Sequence, residues 1–228
     1  MARTIDGSTT HLGWMTRELS LGLRHVPAIA SGLELAGFSI LIALSTQLGD
    51  VAAHAFQIVF SIHNVTFAIA IGLGSAAGVR AGNAVGEGQP AAAIPRTLMA
   101  VGLAIGALGL LVLILRATAP GIVALFPATE PVHVLGTAML AVWAPFIVFD
   151  GIQVVLMYAL RSLGDQVVAG VNSILAYFIV SGGLGWWLVH QGMGPMALVW
   201  ASGLGMVAAA VLHGGRFALM GWRLRRQS

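Results

Sequence analysis

His25-Val-Pro-Ala-Ile-Ala-Ser-Gly-Leu-Glu34-Leu-Ala-Gly-Phe-Ser-Ile-Leu-Ile-Ala-Leu-Ser45 is an apolar run long enough to cross a bilayer, with a carboxylate at its centre. Insertion scales charge about 2.5–3.5 kcal/mol for an acid at mid-helix depth, and a helix keeps one only where it faces the bundle interior and finds a partner. The fold and the function therefore turn on what Glu34 faces. Only eight acids occur in the chain, and the other one placed deep in an apolar run is Asp150.

The composition fits such a reading. Of the 228 residues, 58% are hydrophobic and 8% charged, and the mean hydropathy is +0.92. A soluble domain carries roughly 25% charged residues, so this is an integral membrane protein. There is no cysteine, hence no disulfide framework and no thiolate metal site. The basic balance rests on eleven arginines and no lysine, scattered between apolar runs, which speaks for membrane topology and against nucleic acid.

Six apolar segments follow one another at about 25–47, 55–80, 93–116, 133–160, 167–189 and 195–219, separated by Gly, Pro and Asp clusters such as Gly49-Asp50, Gly86-Glu-Gly-Gln-Pro90 and Gly164-Asp165. The pattern predicts an all-α membrane protein, a bundle of six transmembrane helices over residues 24–220. A cytoplasmic tail and interfacial segment (1–23) precedes the bundle and a basic cytoplasmic tail (221–228) follows it. With the N-terminus inside, Arg3, Arg17, Arg24, Arg80, Arg96, Arg161, Arg216, Arg223, Arg225 and Arg226 fall on the cytoplasmic side and only Arg116 outside. That bias predicts both termini in the cytoplasm of a bacterial plasma (inner) membrane protein. Trp186-Trp187 with His190 reads as an outer aromatic belt, Trp222-Arg-Leu-Arg-Arg226 as an anchor for anionic headgroups, and Gly72-Leu-Gly74 as a helix-packing site.

Topology gives depth. Glu34 lies ten residues from Arg24 and Asp150 eleven from Arg161, so both sit about 15–16 Å from the cytoplasmic edge at 1.5 Å per residue. Two carboxylates at one depth in a low-dielectric site do not both ionise cheaply; a proton or a cation neutralises the pair. A proton or sodium ion then competes with a cationic substrate for the same charge, which is the minimal chemistry of an antiporter. A buried acid that only fixes packing is the structural alternative. Gln153, Phe146, Phe38, Gln57, His63, Asn64, Asn172 and Tyr177 are the candidate lining of the cavity, aromatic faces and a carboxylate being suited to an organic cation. No Ser/His/Asp set, metal-ligand spacing or phosphate loop appears, so the protein is not expected to be an enzyme.

The motifs resemble a known family. Arg80-Ala-Gly82-Asn-Ala-Val-Gly86-Glu-Gly88, closing the helix that begins near Ala53-His54-Ala-Phe-Gln57-Ile58, looks like the eighth helix of the multidrug and toxic compound extrusion (MATE) transporters. Phe149-Asp150-Gly-Ile-Gln153 followed by Ala159-Leu160-Arg161-Ser-Leu-Gly164-Asp165 resembles their tenth helix. Pro120-Gly-Ile-Val-Ala-Leu-Phe126 resembles the stretch after their ninth, and Glu34 with Phe38 one turn on resembles the acidic site of their seventh. The resemblance implies the C-terminal six-helix lobe of a twelve-helix transporter that expels organic cations in exchange for sodium or protons. Glu34 and Asp150 are then the coupling and substrate-binding acids and the residues at which sodium would bind, with no other cofactor. It departs from the pattern at Phe56, Ala70 and Phe146, where many relatives carry histidine, proline or, in some sodium-coupled members, tyrosine. The coupling ion stays open between sodium and proton.

The resemblance also implies a second six-helix lobe, since alternating access needs one half to rock against another. The expected partners are the lipid bilayer, an organic cation and that second lobe, supplied by another copy or by a separate protein. A truncated fragment, a non-transporting membrane subunit and a lipid-linked flippase relative are the alternatives. The absence of a mid-depth arginine in the six segments speaks against the flippase's polyanionic cargo.

Overall fold

The computed structural model describes residues 37–226, and every regular element among them is helical. Helix α1 (Gly37–Gln47) is followed by α2 (Asp50–Gly86), a 3-10 turn (Pro90–Ala92), α3 (Ala93–Val123), α4 (Glu130–Trp143) and α5 (Phe146–Ser162). Then come α6 (Gln166–Ile174), a π-helical segment (Leu175–Gly183), α7 (Leu184–His190) and α8 (Met196–Arg225). α6, the π segment and α7 run on as one 25-residue span, and α2, α3 with its leading turn, and α8 are each long and apolar enough to cross a membrane. The pair α4–α5 makes a fifth span if taken together. Most of the first expected segment, with Glu34, lies outside the described residues; α1 is its described part.

The turn clusters at Gly49-Asp50, 86–90 and Gly164-Asp165 fall at helix junctions, whereas Pro120-Gly121, also expected as a turn, lies inside α3. At Gly164 the reason is explicit. Its φ is 84°, its N–H donates to the Arg161 carbonyl at 3.1 Å, and the Asp165 N–H donates to Leu160 at 2.9 Å. This is a Schellman ending, which needs the left-handed backbone that glycine adopts without strain. Asp165 then accepts both arms of Arg216 from α8, Nη2 to Oδ1 at 3.1 Å, and clasps that helix to the end of α5. The last helix continues through Arg225, so Arg223 and Arg225 stand on its final turn.

The fourth expected span is not one straight helix. α4 and α5 meet at Ala144-Pro145 with a 52° bend. Pro145 has no N–H to give to the turn before it, and its ring crowds that turn. The bend leaves Asp150 just over one turn into α5.

Helix α5 is the hub, packed on α2, α3 and α8. Small residues allow the close approach, as in membrane helix pairs generally. A Cβ on Gly74 would stand 2.8 Å from Val154 Cγ1 and 2.9 Å from Tyr158 Cδ2, whereas one on Gly72 would meet nothing. Only the second glycine of the Gly72-Leu-Gly74 pair is thus a packing site. Around this core the outer faces of α3 and α8 carry exposed Leu98, Met99, Leu103, Leu110, Leu113, Val211 and Leu219. Such faces suit hydrocarbon as solvent, because each helix satisfies its own backbone.

Candidate functional site

A cleft of about 290 Å³ opens between α1, α2, α5 and the π segment, with Asp150 in its wall. The stripe Asp150, Gln153, Met157, Arg161 on α5 lines it because those positions recur on one helical face. On α2 the corresponding stripe is Phe60, His63, Asn64, Phe67 and Ile71. α1 adds Phe38 and the π segment adds Tyr177.

Asp150 is 2% exposed. Its Oδ1 accepts from Gln153 Nε2 at 3.1 Å and from the Tyr177 hydroxyl at 3.3 Å. Its Oδ2 faces His63 Nδ1 at 4.0 Å, too far for a hydrogen bond. Burying an ionised carboxylate is costly unless charge and hydrogen bonds answer it. Here one oxygen is answered by two donors and the other looks toward an imidazole. His63 is 5% exposed, and its Nδ1, like Gln153 Oε1, is buried without a hydrogen-bond partner among the described residues.

The imidazole is held in place by rings. Phe38 and Phe67 stack against it with centroids 5.4 Å away, and Trp143 meets it edge-on at 5.1 Å. Phe38 also contacts Phe60 at 5.5 Å and Tyr177 at 5.6 Å. The site is thus a carboxylate at the root of an aromatic-walled cleft. Ring faces and a carboxylate attract an organic cation by quadrupole and by charge, in a setting where water competes little.

The structure brings Phe38, His63, Asn64, Asp150, Gln153 and Tyr177 together in this cleft. Three of the expected lining residues stand elsewhere. Gln57 shares the His63–Asn64 helix but lies in a separate recess with His54, Phe126 and Thr129; seven residues before Asn64 it is about 10 Å farther along the axis. Phe146, at the bend, turns toward α8, where it meets Trp200 with centroids 5.9 Å apart and packs over Gly203. Asn172 is buried on α6 and is not among the residues that line the cleft. Glu34 lies outside the described residues. Among the described residues there is no group of three or more His, Asp or Glu side chains placed to hold a metal ion.

Phe60, Phe67 and Ile71 are cleft residues the sequence reading missed. Their signal was present: positions 60, 64, 67 and 71 form one helical stripe through Asn64.

Comparison with known proteins bears on the whole chain. The MatE family model matches residues 27–187. The multidrug resistance protein NorM of Burkholderia vietnamiensis is 32% identical over 219 residues, covering 93% of this chain and 45% of its own length. The probable multidrug resistance protein NorM of Burkholderia pseudomallei (strain K96243) is 30% identical over 228 residues, with 97% and 45% covered. Among solved structures, a MATE crystallised in its bent conformation superposes with a TM-score of 0.81 at 17% identity, over 88% of this chain and 45% of that one. The eukaryotic MATE transporter AtDTX14 gives 0.78 at 20% identity, with 89% and 48% covered. The chain spans just under half the length of the curated relatives it matches.

Proposed function

Because the chain belongs to the MatE family, we propose that it is one lobe of an efflux transporter that exchanges sodium ions or protons for organic cations. Asp150 is the charge for which the two cargoes compete. The observation that carries this reading is the burial of Asp150 at the root of an aromatic cleft, with one oxygen held by Gln153 and Tyr177 and the other facing His63. A carboxylate that merely fixed packing would need no cleft. Here the ring faces of Phe38, Phe60 and Phe67 offer a binding wall beside it.

The exchange follows from charge balance. An empty, ionised site at this depth is costly, so a coupling ion holds it in the resting lobe. An organic cation that reaches Asp150 replaces that ion, and the reverse replacement releases the drug on the other side. Rocking against a second six-helix lobe supplies the alternation. The relatives' resistance names and their doubled length support both parts of the proposal. We place the assembly in a bacterial inner membrane with both termini cytoplasmic, on the arginine distribution. Glu34 is the second coupling acid.

The test uses inverted vesicles containing the assembled transporter and a fluorescent organic cation. Asp150→Asn, which preserves shape and removes the charge, abolishes ion-dependent accumulation. Undiminished accumulation in that variant rules the proposal out, and a chain that never accumulates the dye in any assembly favours a non-transporting subunit.

A further inference from the structure

The π segment is seated on two glycines from two different helices. On one side Gly37 of α1 abuts Tyr177: a Cβ there would stand 2.7 Å from the Tyr177 carbonyl carbon and nearer still to its oxygen. On the other side Gly205 of α8 abuts Ala176 and Ser181. A Cβ there would stand 3.1 Å from the Ala176 carbonyl oxygen and 3.1 Å from Ser181 Cβ, and would run into Ser181 Oγ. Ala176 and Ser181 are five residues apart, the spacing that closes a π turn. In an α-helix the residue sharing that face with Ala176 is Val180, four residues on, and its bulk would stand where Ser181 now stands. The wide turn and the bare face of Gly205 are thus matched to each other.

The two glycine contacts bracket one residue. The Ala176 carbonyl belongs to the peptide unit before the Tyr177 Cα, and the Tyr177 carbonyl to the unit after it. Each unit is planar, so holding both fixes the direction of the Tyr177 Cα–Cβ bond. The ring then lies against Phe38, the residue after Gly37, with centroids 5.6 Å apart. Its hydroxyl donates to Asp150 Oδ1 at 3.3 Å. That bond is long for an O–H donor, and the hydroxyl stands at the far end of the side chain. A small turn of the backbone at Tyr177 is therefore enough to break it.

We propose that Gly205 and Gly37 are positioning residues for Asp150: they hold the π turn open, and the open turn aims the Tyr177 hydroxyl at the carboxylate. Neither glycine touches a cargo. Their effect on cation affinity rests on Asp150 being the binding charge; their effect on Tyr177 does not.

The chain has two tyrosines, Tyr158 and Tyr177. Incorporating 3-fluorotyrosine gives the purified chain two fluorine resonances, assigned with Tyr177→Phe. Gly205→Val shifts the Tyr177 resonance and leaves that of Tyr158, which packs on Gly74 and Gly78 of α2. Gly215→Val, on the same helix where a Cβ meets nothing, shifts neither. Ethidium titrations then show whether the displacement reaches the site. Gly205→Val weakens ethidium binding about tenfold, the loss that goes with one hydrogen bond to a charged group. In a Tyr177→Phe background the same substitution costs less than about twofold, because the bond it breaks is already gone. A Tyr177 resonance that Gly205→Val leaves in place overturns the proposal. So do losses that multiply in the double variant, the mark of a glycine that merely packs. Should Gly205→Val fail to fold, Gly205→Ala decides by the same resonance, since once Ser181 Oγ rotates away its Cβ meets only the two 3.1 Å contacts. If ethidium fails to bind the unaltered chain, the transport reading falls and the resonances still decide the positioning.

Discussion

Asp150 is served unevenly, and that unevenness is what makes it useful. Gln153 and Tyr177 hold Oδ1 at 3.1 and 3.3 Å, while Oδ2 faces His63 at 4.0 Å, beyond hydrogen-bond reach. One oxygen fixes the carboxylate's orientation, and under the proposed function the other is the one that meets a cargo. The Tyr177 hydroxyl is the more informative of the two supports, because it comes from a different helix. Tyr177→Phe keeps the ring beside Phe38 and removes the donor. A hydrogen bond to a charged group is worth about 1.5–3 kcal/mol, so a fluorescence titration of an organic cation should show binding about tenfold weaker. Gln57→Ala, in its separate recess, should leave the same titration unchanged. At this scale the sequence was informative about Asp150, since a lone acid in an apolar run declares its cost. It was less so about the residues beside it. Tyr177 and Asn172 looked alike as polar positions of one helix, yet only Tyr177 lines the cleft.

At the scale of elements, two irregularities position the site. The bend at Ala144-Pro145 starts a new helix just over one turn before Asp150 and turns Phe146 onto Gly203. The π-helical segment Leu175–Gly183 carries Tyr177 toward α5; such segments are rare and concentrate at functional sites. Pro145 lies within an apolar run whose length suited one span, 133–160, so the bend there was not anticipated. Nor was the π segment, because no residue type marks a widened turn. Gly121 misled, being helical in α3, but the glycines that do turn the chain were legible, and Gly164 shows why, with its Schellman hydrogen bonds and left-handed φ. Packing against Phe146 gives a stability prediction. Gly203→Val forces its side chain into the ring, and overpacking of this kind costs about 1–3 kcal/mol. Gly102→Ala on α3, where a Cβ meets nothing, should be neutral or stabilising by up to about 1 kcal/mol. Thermal unfolding in one detergent compares the two, and equal midpoints would remove Gly203 from the list of close contacts.

At the scale of the whole molecule, the chain presents two unlike faces on either side of α5. One holds the aromatic cleft and its acid; the other, across α3 and α8, is apolar and suited to lipid. A helical membrane lobe was legible from composition, from the spacing of apolar runs and from the arginines, because the bilayer imposes both length and sign. What the sequence left open was how far the site extends. Among the described residues the cleft is walled by α1, α2, α5 and the π segment, and the matched relatives are about twice as long. A second lobe that completes the cleft should therefore slow the release of a bound cation without replacing Asp150 as its anchor. Stopped-flow dissociation with and without the partner lobe measures this, and identical rates would place the partner away from the cleft.

The central claim is that Asp150 is the common seat of drug and coupling ion. Equilibrium binding of a fluorescent organic cation to the purified chain, repeated with added sodium and at lower pH, tests it most directly. Saturable binding is expected, displaced by either sodium or acid and weakened at least tenfold, about 1.4 kcal/mol, by Asp150→Asn. Binding that Asp150→Asn leaves intact, or that neither ion displaces, would contradict it.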